Sequence, residues 1–263
     1  MIGFLNTNIP DPVAFSIFGT DIMWYGIIIA VAILIAIILC YKRAPKHGIP
    51  PEKVLDAMIF CIPAAIVGAR LYYVAFNFGD YGGDFLKIIN LRLGGLAIHG
   101  ALIAAFIVGL IFCRINKIGP MNGFDLAVPC IAIGQAIGRW GNYFNSEAHG
   151  VPTNLPWGIP VGGQLVHPTF LYESLWCLIL FFILILIDDR RAFDGQTFLS
   201  YGILYSAERF FVEGLRTDSL MLGALRQAQV LSVVIFIASI TAMIILWGNS
   251  KPKGRIFFRR RNP

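Results

Sequence analysis

Charge is what this sequence has little of. Only 14% of its 263 residues are Asp, Glu, Lys or Arg, against roughly a quarter in an ordinary soluble domain. That shortage excludes a globule with a solvated surface and points to a chain dissolved in a bilayer. The mean hydropathy of +0.72 agrees. Catalytic signatures are missing too: there is no HExxH, no GxSxG, no P-loop and no clustered His/Cys set. Metal hydrolysis, serine acyl transfer and nucleotide-driven transport all lose their usual signs, and neither a metal nor another cofactor is expected. The five cysteines (Cys40, Cys61, Cys113, Cys130, Cys177) include no CxxC pair and lie in or beside apolar runs. They read as small core residues. No Ser/Gly-rich or charge-rich linker divides the chain, so a single domain over 1–263 is expected, and MIGFLNTNIPDP lacks the basic start of a cleaved leader.

The net charge of +6 does not imply nucleic acid, because six of the 21 basic residues sit in the tail KPKGRIFFRRRNP next to an apolar segment. Such tails face anionic lipid on the cytoplasmic side, so 249–263 is expected to be a basic cytoplasmic tail.

A spanning helix needs about 20 mostly apolar residues. Seven segments qualify, roughly 22–41, 54–77, 94–114, 124–143, 168–187, 196–214 and 227–248. The expected fold is therefore an all-α integral membrane bundle. The sixth segment is the weakest, since it holds Glu208, Arg209 and Glu213. With the N-terminus outside, Lys42, Arg43, Lys46, Lys53, Arg114, Lys117, Arg190, Arg191 and the six tail residues fall inside, fourteen in all. Lys87, Arg92, Arg216 and Arg226 fall outside, four in all. The positive-inside rule then predicts N-out, C-in.

The remaining basic residues are Arg70, Arg139 and Arg209, each within a proposed span. An arginine at a helix centre costs about 2.5–3.5 kcal/mol, and a leucine returns only about 0.3–0.6. Such residues face a bundle interior or a wet cavity and act there. All three fall toward the outer ends of their segments. His99, Tyr25, His167, Tyr172 and Glu173 fall at the same depth on other segments. The expectation is a polar, cationic cavity toward the outer leaflet. Arginine's planar fork suits phosphate oxygens, so an anionic, phosphate-bearing ligand is expected. Glu173 and Glu213 read as counter-ions, because a lone carboxylate there is costly. Gly134 and Gly138, in GQAIG, read as close helix packing. An arginine-lined outer cavity also suits a lipid or organic-anion transporter, but such transporters often show matched repeats, and no long repeat is present.

The stretch GRWGNYFNSEAHG, 138–150, resembles the signature of the bacterial prolipoprotein diacylglyceryl transferases through Gly138, Arg139, Gly141, Asn142, Tyr143, Asn145, Glu147 and Gly150. MWYG, GARLYYV, GGLAIHG, HPTFLYE and YSAERFFVEGLRTD agree in order along the chain. One departure is Ala101 after Gly100, where that family usually carries a second glycine. The resemblance implies a bacterial cytoplasmic-membrane enzyme whose partners are phosphatidylglycerol and the lipobox of a prolipoprotein. It would move the diacylglyceryl group to the lipobox cysteine thiol and release glycerol phosphate. The family's histidine falls on His99 and its late tyrosine and arginine on Tyr205 and Arg209, the expected catalytic set. The signature arginine, associated in the family with the phospholipid headgroup, falls on Arg139. Asn142, Glu147, Gly150, Tyr25 and Arg70 join it as the expected lipid-binding group.

Overall fold

The computed structural model describes residues 10–91, 94–217, 221–222 and 225–249. The expected basic tail lies, from residue 250 on, outside the described residues, as does Arg92.

The molecule is mostly helical. Its long helices are α1 (Trp24–Arg43), α2 (Pro51–Phe76), α5 (Ile98–Ile115), α6 (Pro120–Phe144), α7 (Thr169–Asp189), α8 (Gln196–Leu215) and α9 (Gln227–Asn249). Two short helices, α3 (Phe78–Tyr81) and α4 (Phe85–Ile89), lie between α2 and α5. Among the described residues, five helical stretches are long and apolar enough to cross a membrane: Trp24–His47, Pro51–Phe76, Ile98–Ile115, Thr169–Asp189 and Gln227–Gly248. This is a multi-pass membrane protein. The helices α6 and α8 fall short in apolarity, not in length. They carry Asp125, Gln135, Arg139 and Asn142 in one case and Glu208, Arg209 and Glu213 in the other.

Among the described residues three two-stranded hairpins, absent from the all-α expectation, decorate the helices: β1 (Val13–Ile17) with β2 (Thr20–Met23), β3 (Ile159–Val161) with β4 (Gln164–Val166), and β5 (Met221–Leu222) with β6 (Leu225–Arg226). The first two turn through left-handed pairs, Phe18-Gly19 and Gly162-Gly163, which match the twist of paired strands. The third long helix starts at Ile98 and not at 94, because Gly94 and Gly95 have φ of 73° and 75°. No right-handed helix runs through that geometry.

The chain forms two compact units, one of residues 1–36 and 124–263, the other of residues 37–123. In the smaller, α2 packs on α5 so closely that a Cβ on Gly100 would collide with the Gly68 carbonyl and the Tyr72 side chain. Small residues permit such approach in a membrane, where dispersion contacts hold helices together. In the larger, α6 lies on α1 through Gly134 and Gly138. A Cβ there would meet Ala36 at 3.7 Å and Ile29 at 3.3 Å. The core of this unit centres on Ala132, Leu180 and Leu184, with Trp176, Tyr201 and Tyr205 packed against it.

The start of α8 is held by side chains. The buried carboxylate of Asp125 accepts hydrogen bonds from Gly195 N (2.6 Å) and Phe198 N (2.8 Å). Asp188 accepts from Thr197 Oγ1 and pairs with Arg191. The two Asp125 bonds satisfy amides that a helix start otherwise leaves unbonded, and the Asp188 contacts hold the side chains beside them. They also fix the helix that carries Tyr205, Glu208, Arg209 and Glu213.

Candidate active site

Glu173, in the first turns of α7, is fully buried. Three guanidinium groups converge on it. Arg139 of α6 is in ion-pair contact with Oε2. Arg209 of α8 places Nη1 2.8 Å from Oε1, and Arg216, just past α8, lies 3.7 Å from the same oxygen. Arg209 turns its other nitrogen, Nη2, to Glu213 Oε2 at 2.5 Å. Arg139 also donates to the Tyr205 hydroxyl at 3.4 Å. Tyr205 stacks on Tyr201 with ring planes 8° apart, and Tyr201 donates to Gln135 Oε1 at 2.9 Å. Thus α6, α7 and α8 share one polar network. Buried charges of this kind are tolerated when paired and hydrogen-bonded.

The signature stretch forms the rim of this network. Glu147 accepts from Asn142 Nδ2 (2.8 Å) and Asn145 Nδ2 (3.4 Å). The Tyr25 ring lies against Gly141, where a Cβ would come within 2.8 Å of it, and it faces Glu147 and Arg139 electrostatically. Gly150 sits where three segments meet: its N donates to His167 O at 2.8 Å and it bridges to Arg216. A Cβ there would stand 2.7 Å from His167 Cβ and 3.0 Å from Leu215 O. The glycine is demanded by close approach of backbone.

Of the residues expected from the sequence, Arg139, Tyr205, Arg209, Glu173 and Glu213 are brought into one network, with Tyr25, Asn142, Glu147 and Gly150 beside it. Arg70 and His99 belong to the smaller unit. Arg70 is 3% exposed, and all five of its N–H groups are used on backbone carbonyls. Nε donates to Ile88, Nη1 to Gly94 and Gly95, and Nη2 to Lys87 and Asn90. Its guanidinium also lies 4.9 Å over the Tyr81 ring. In this arrangement Arg70 shapes the α4–α5 connection and has no N–H left for a phosphate. His99 is exposed in the first turn of α5, its ring 6.1 Å from that of Tyr72.

Sequence reasoning missed Arg216, counting it as a loop charge. The available signal was its spacing: Glu213 and Arg216 are three apart, so the helix end brings both to one side. Glu208 was noticed only as a blemish in a span. It is a third glutamate of this region, with both carboxyl oxygens buried.

These helices and this network define a multi-pass membrane protein with an arginine-based polar interior. The chain belongs to the prolipoprotein diacylglyceryl transferase family, whose defining pattern matches residues 12–245. It is 47% identical over 241 residues to the phosphatidylglycerol–prolipoprotein diacylglyceryl transferase of Clostridioides difficile strain 630, covering 92% of this chain and 97% of that one. It is 48% identical over 235 residues to the protein of the same name from Finegoldia magna, with 89% and 95% covered. The corresponding Listeria innocua protein is 44% identical over 246 residues, 89% of each chain.

Proposed function

We propose that this protein transfers the diacylglyceryl group of phosphatidylglycerol to the lipobox cysteine thiol of a prolipoprotein. A carbon–sulfur bond forms at the glyceryl carbon, the carbon–oxygen bond to phosphate breaks, and glycerol phosphate leaves. The observation that carries this reading is the convergence of Arg139, Arg209 and Arg216 on Glu173. With Glu213 included, the paired set holds three guanidinium groups and two carboxylates, so it retains positive charge for an anion. Negative charge grows on the leaving phosphate, and cations already in place stabilise it without reorganising.

The roles follow from the chemistry. Arg139 and Arg209 hold the phosphodiester, and Tyr205 orients Arg139 through its hydroxyl. Tyr25, Asn142, Glu147 and Gly150 shape the headgroup rim. Glu173 and Glu213 are counter-ions. The attacking thiol, with an ordinary pKa near 8.5, is only a few per cent ionised at pH 7, so it needs a proton acceptor. His99 is our assignment for that role. Arg70 is assigned a supporting place in the smaller unit. The chain crosses the bacterial cytoplasmic membrane seven times as one catalytic domain, N-terminus outside and C-terminus in the cytoplasm, with the site toward the outer leaflet. In that reading α6 and α8 are spans whose charges pair within the bundle.

The deciding experiment mixes purified protein, phosphatidylglycerol and a lipobox peptide. Release of glycerol phosphate with a matching mass gain on the peptide thiol is expected. Lipid or anion movement without release would make the protein a transporter instead.

A further inference from the structure

Glu208 has no part in that reaction. It stands on α8, three residues after Tyr205 and one before Arg209. Both carboxyl oxygens are buried, and neither has a hydrogen-bond partner among the described residues. The charged groups it faces are Glu173 on α7, Arg139 on α6 and Arg209 on its own helix. The Cys177 thiol on α7 is a further neighbour. Arg139 and Arg209 direct their donors elsewhere, to Glu173, Tyr205 and Glu213. A buried acceptor with no donor is destabilising, and nearly all such groups in folded proteins find a partner. The described residues supply none, which leaves the place open to a donor on something that arrives.

The substrate class assigned above brings such donors. A glycerol headgroup ends in two adjacent hydroxyls, a few bonds from the phosphate. A carboxyl group offers two acceptor oxygens at matching separation, the arrangement by which an acidic side chain holds a ribose hydroxyl in dinucleotide-binding folds. We propose that Glu208 selects the lipid headgroup: its carboxyl oxygens accept hydrogen bonds from the terminal hydroxyls of a polyol phospholipid whose phosphate lies on Arg139 and Arg209. The inference rests on the phospholipid reading of the site and adds the recognition of the alcohol to it. The two arginines read the phosphate, which every phospholipid has. Glu208 reads what distinguishes a polyol headgroup from an alkyl one.

The test compares two short-chain lipids, dioctanoyl phosphatidylglycerol and dioctanoyl phosphatidylpropanol, which has the same phosphate but no headgroup hydroxyl. Binding to the purified full-length protein in detergent is measured by calorimetric titration. The wild type is expected to prefer phosphatidylglycerol by about tenfold or more, the scale of a hydrogen bond to a charged group. Glu208→Leu should shrink the preference to about twofold or less by weakening the diol lipid alone. Glu208→Gln, which keeps one acceptor, should retain part of it. A Glu208→Leu protein with the wild-type preference overturns the proposal. So does a wild type that binds both lipids equally, a result that needs no variant to fold. Glycerol phosphate release is read separately. A protein that prefers the diol lipid yet transfers nothing keeps this inference and sinks the proposed reaction.

Discussion

One carboxylate serves three guanidinium groups, so Glu173→Gln reaches further than the loss of any one arginine. It leaves Arg139, Arg209 and Arg216 short of a partner in a buried setting, and breaking such a pair costs about 3–5 kcal/mol. A clear fall in melting temperature in detergent is expected, larger than for Arg216→Gln, together with loss of transfer. Arg139→Lys keeps the charge and loses the planar fork. It should insert normally and lose most turnover; near-normal turnover would reduce Arg139 to an interfacial anchor. For His99→Gln the rate should drop by about 10²–10⁴ with lipid binding intact. The residual rate should then climb with pH toward the thiol's own pKa, as solution thiolate replaces the missing base. A flat, low profile in a folded His99→Gln protein would remove His99 from the proton path. At this scale the sequence was informative about charge and poor about backbone. A carboxylate left unpaired in an apolar span is costly, which led to reading Glu173 and Glu213 as counter-ions of the arginines. The acceptors of Arg70 are five carbonyls, and no residue letter announces a carbonyl.

The helices that carry the network are the ones least suited to a membrane. Neither α6 nor α8 is among the five stretches apolar enough to cross on composition. Placed alone in an insertion reporter, Gln196–Leu215 should integrate poorly, and replacing Glu208, Arg209 and Glu213 by Leu should restore insertion. Efficient insertion of the native segment would mean that its charges need no partners. The start of α8 makes a second test. Asp125→Ala removes the acceptor for Gly195 N and Phe198 N, and a lost cap costs about 0.5–2 kcal/mol. Thermal stability should fall by that order. The position and length of these elements were legible from apolar runs: 196–214 was expected where Gln196–Leu215 is found, and 168–187 where Thr169–Asp189 is found. The hairpins were not, because runs of two to five residues fall below a window tuned to spans. Asp125 reads as an ordinary acidic residue until the turn at Gly195 folds back on it.

For the whole molecule the orientation can be read by labelling. Single cysteines in 151–166 should react with an impermeant thiol reagent from outside, and ones in 188–194 should not; the opposite pattern would invert the site. The background for that test changes all five native cysteines, three of which are buried. It should keep transfer activity apart from some loss of packing, since the attacking sulfur belongs to the substrate. Charge bias thus made the orientation readable as an expectation, whereas the division into two compact units left no mark in composition. Chain order adds a constraint in time. Arg139 is made thirty-four residues before its carboxylate (173 less 139), an interval of about 2–7 s at ordinary elongation rates. For those seconds α6 has no counter-charge from α7, and α8 comes later still. By residue 160 the apolar helices α1, α2 and α5 have been made and can enter the bilayer unaided, whereas α6 should still crosslink to the insertion machinery. In a chain arrested after α8 has emerged that crosslink should be lost. Assembly of the site and commitment of α6 and α8 to the bilayer are then the same event, completed only when the last arginine arrives.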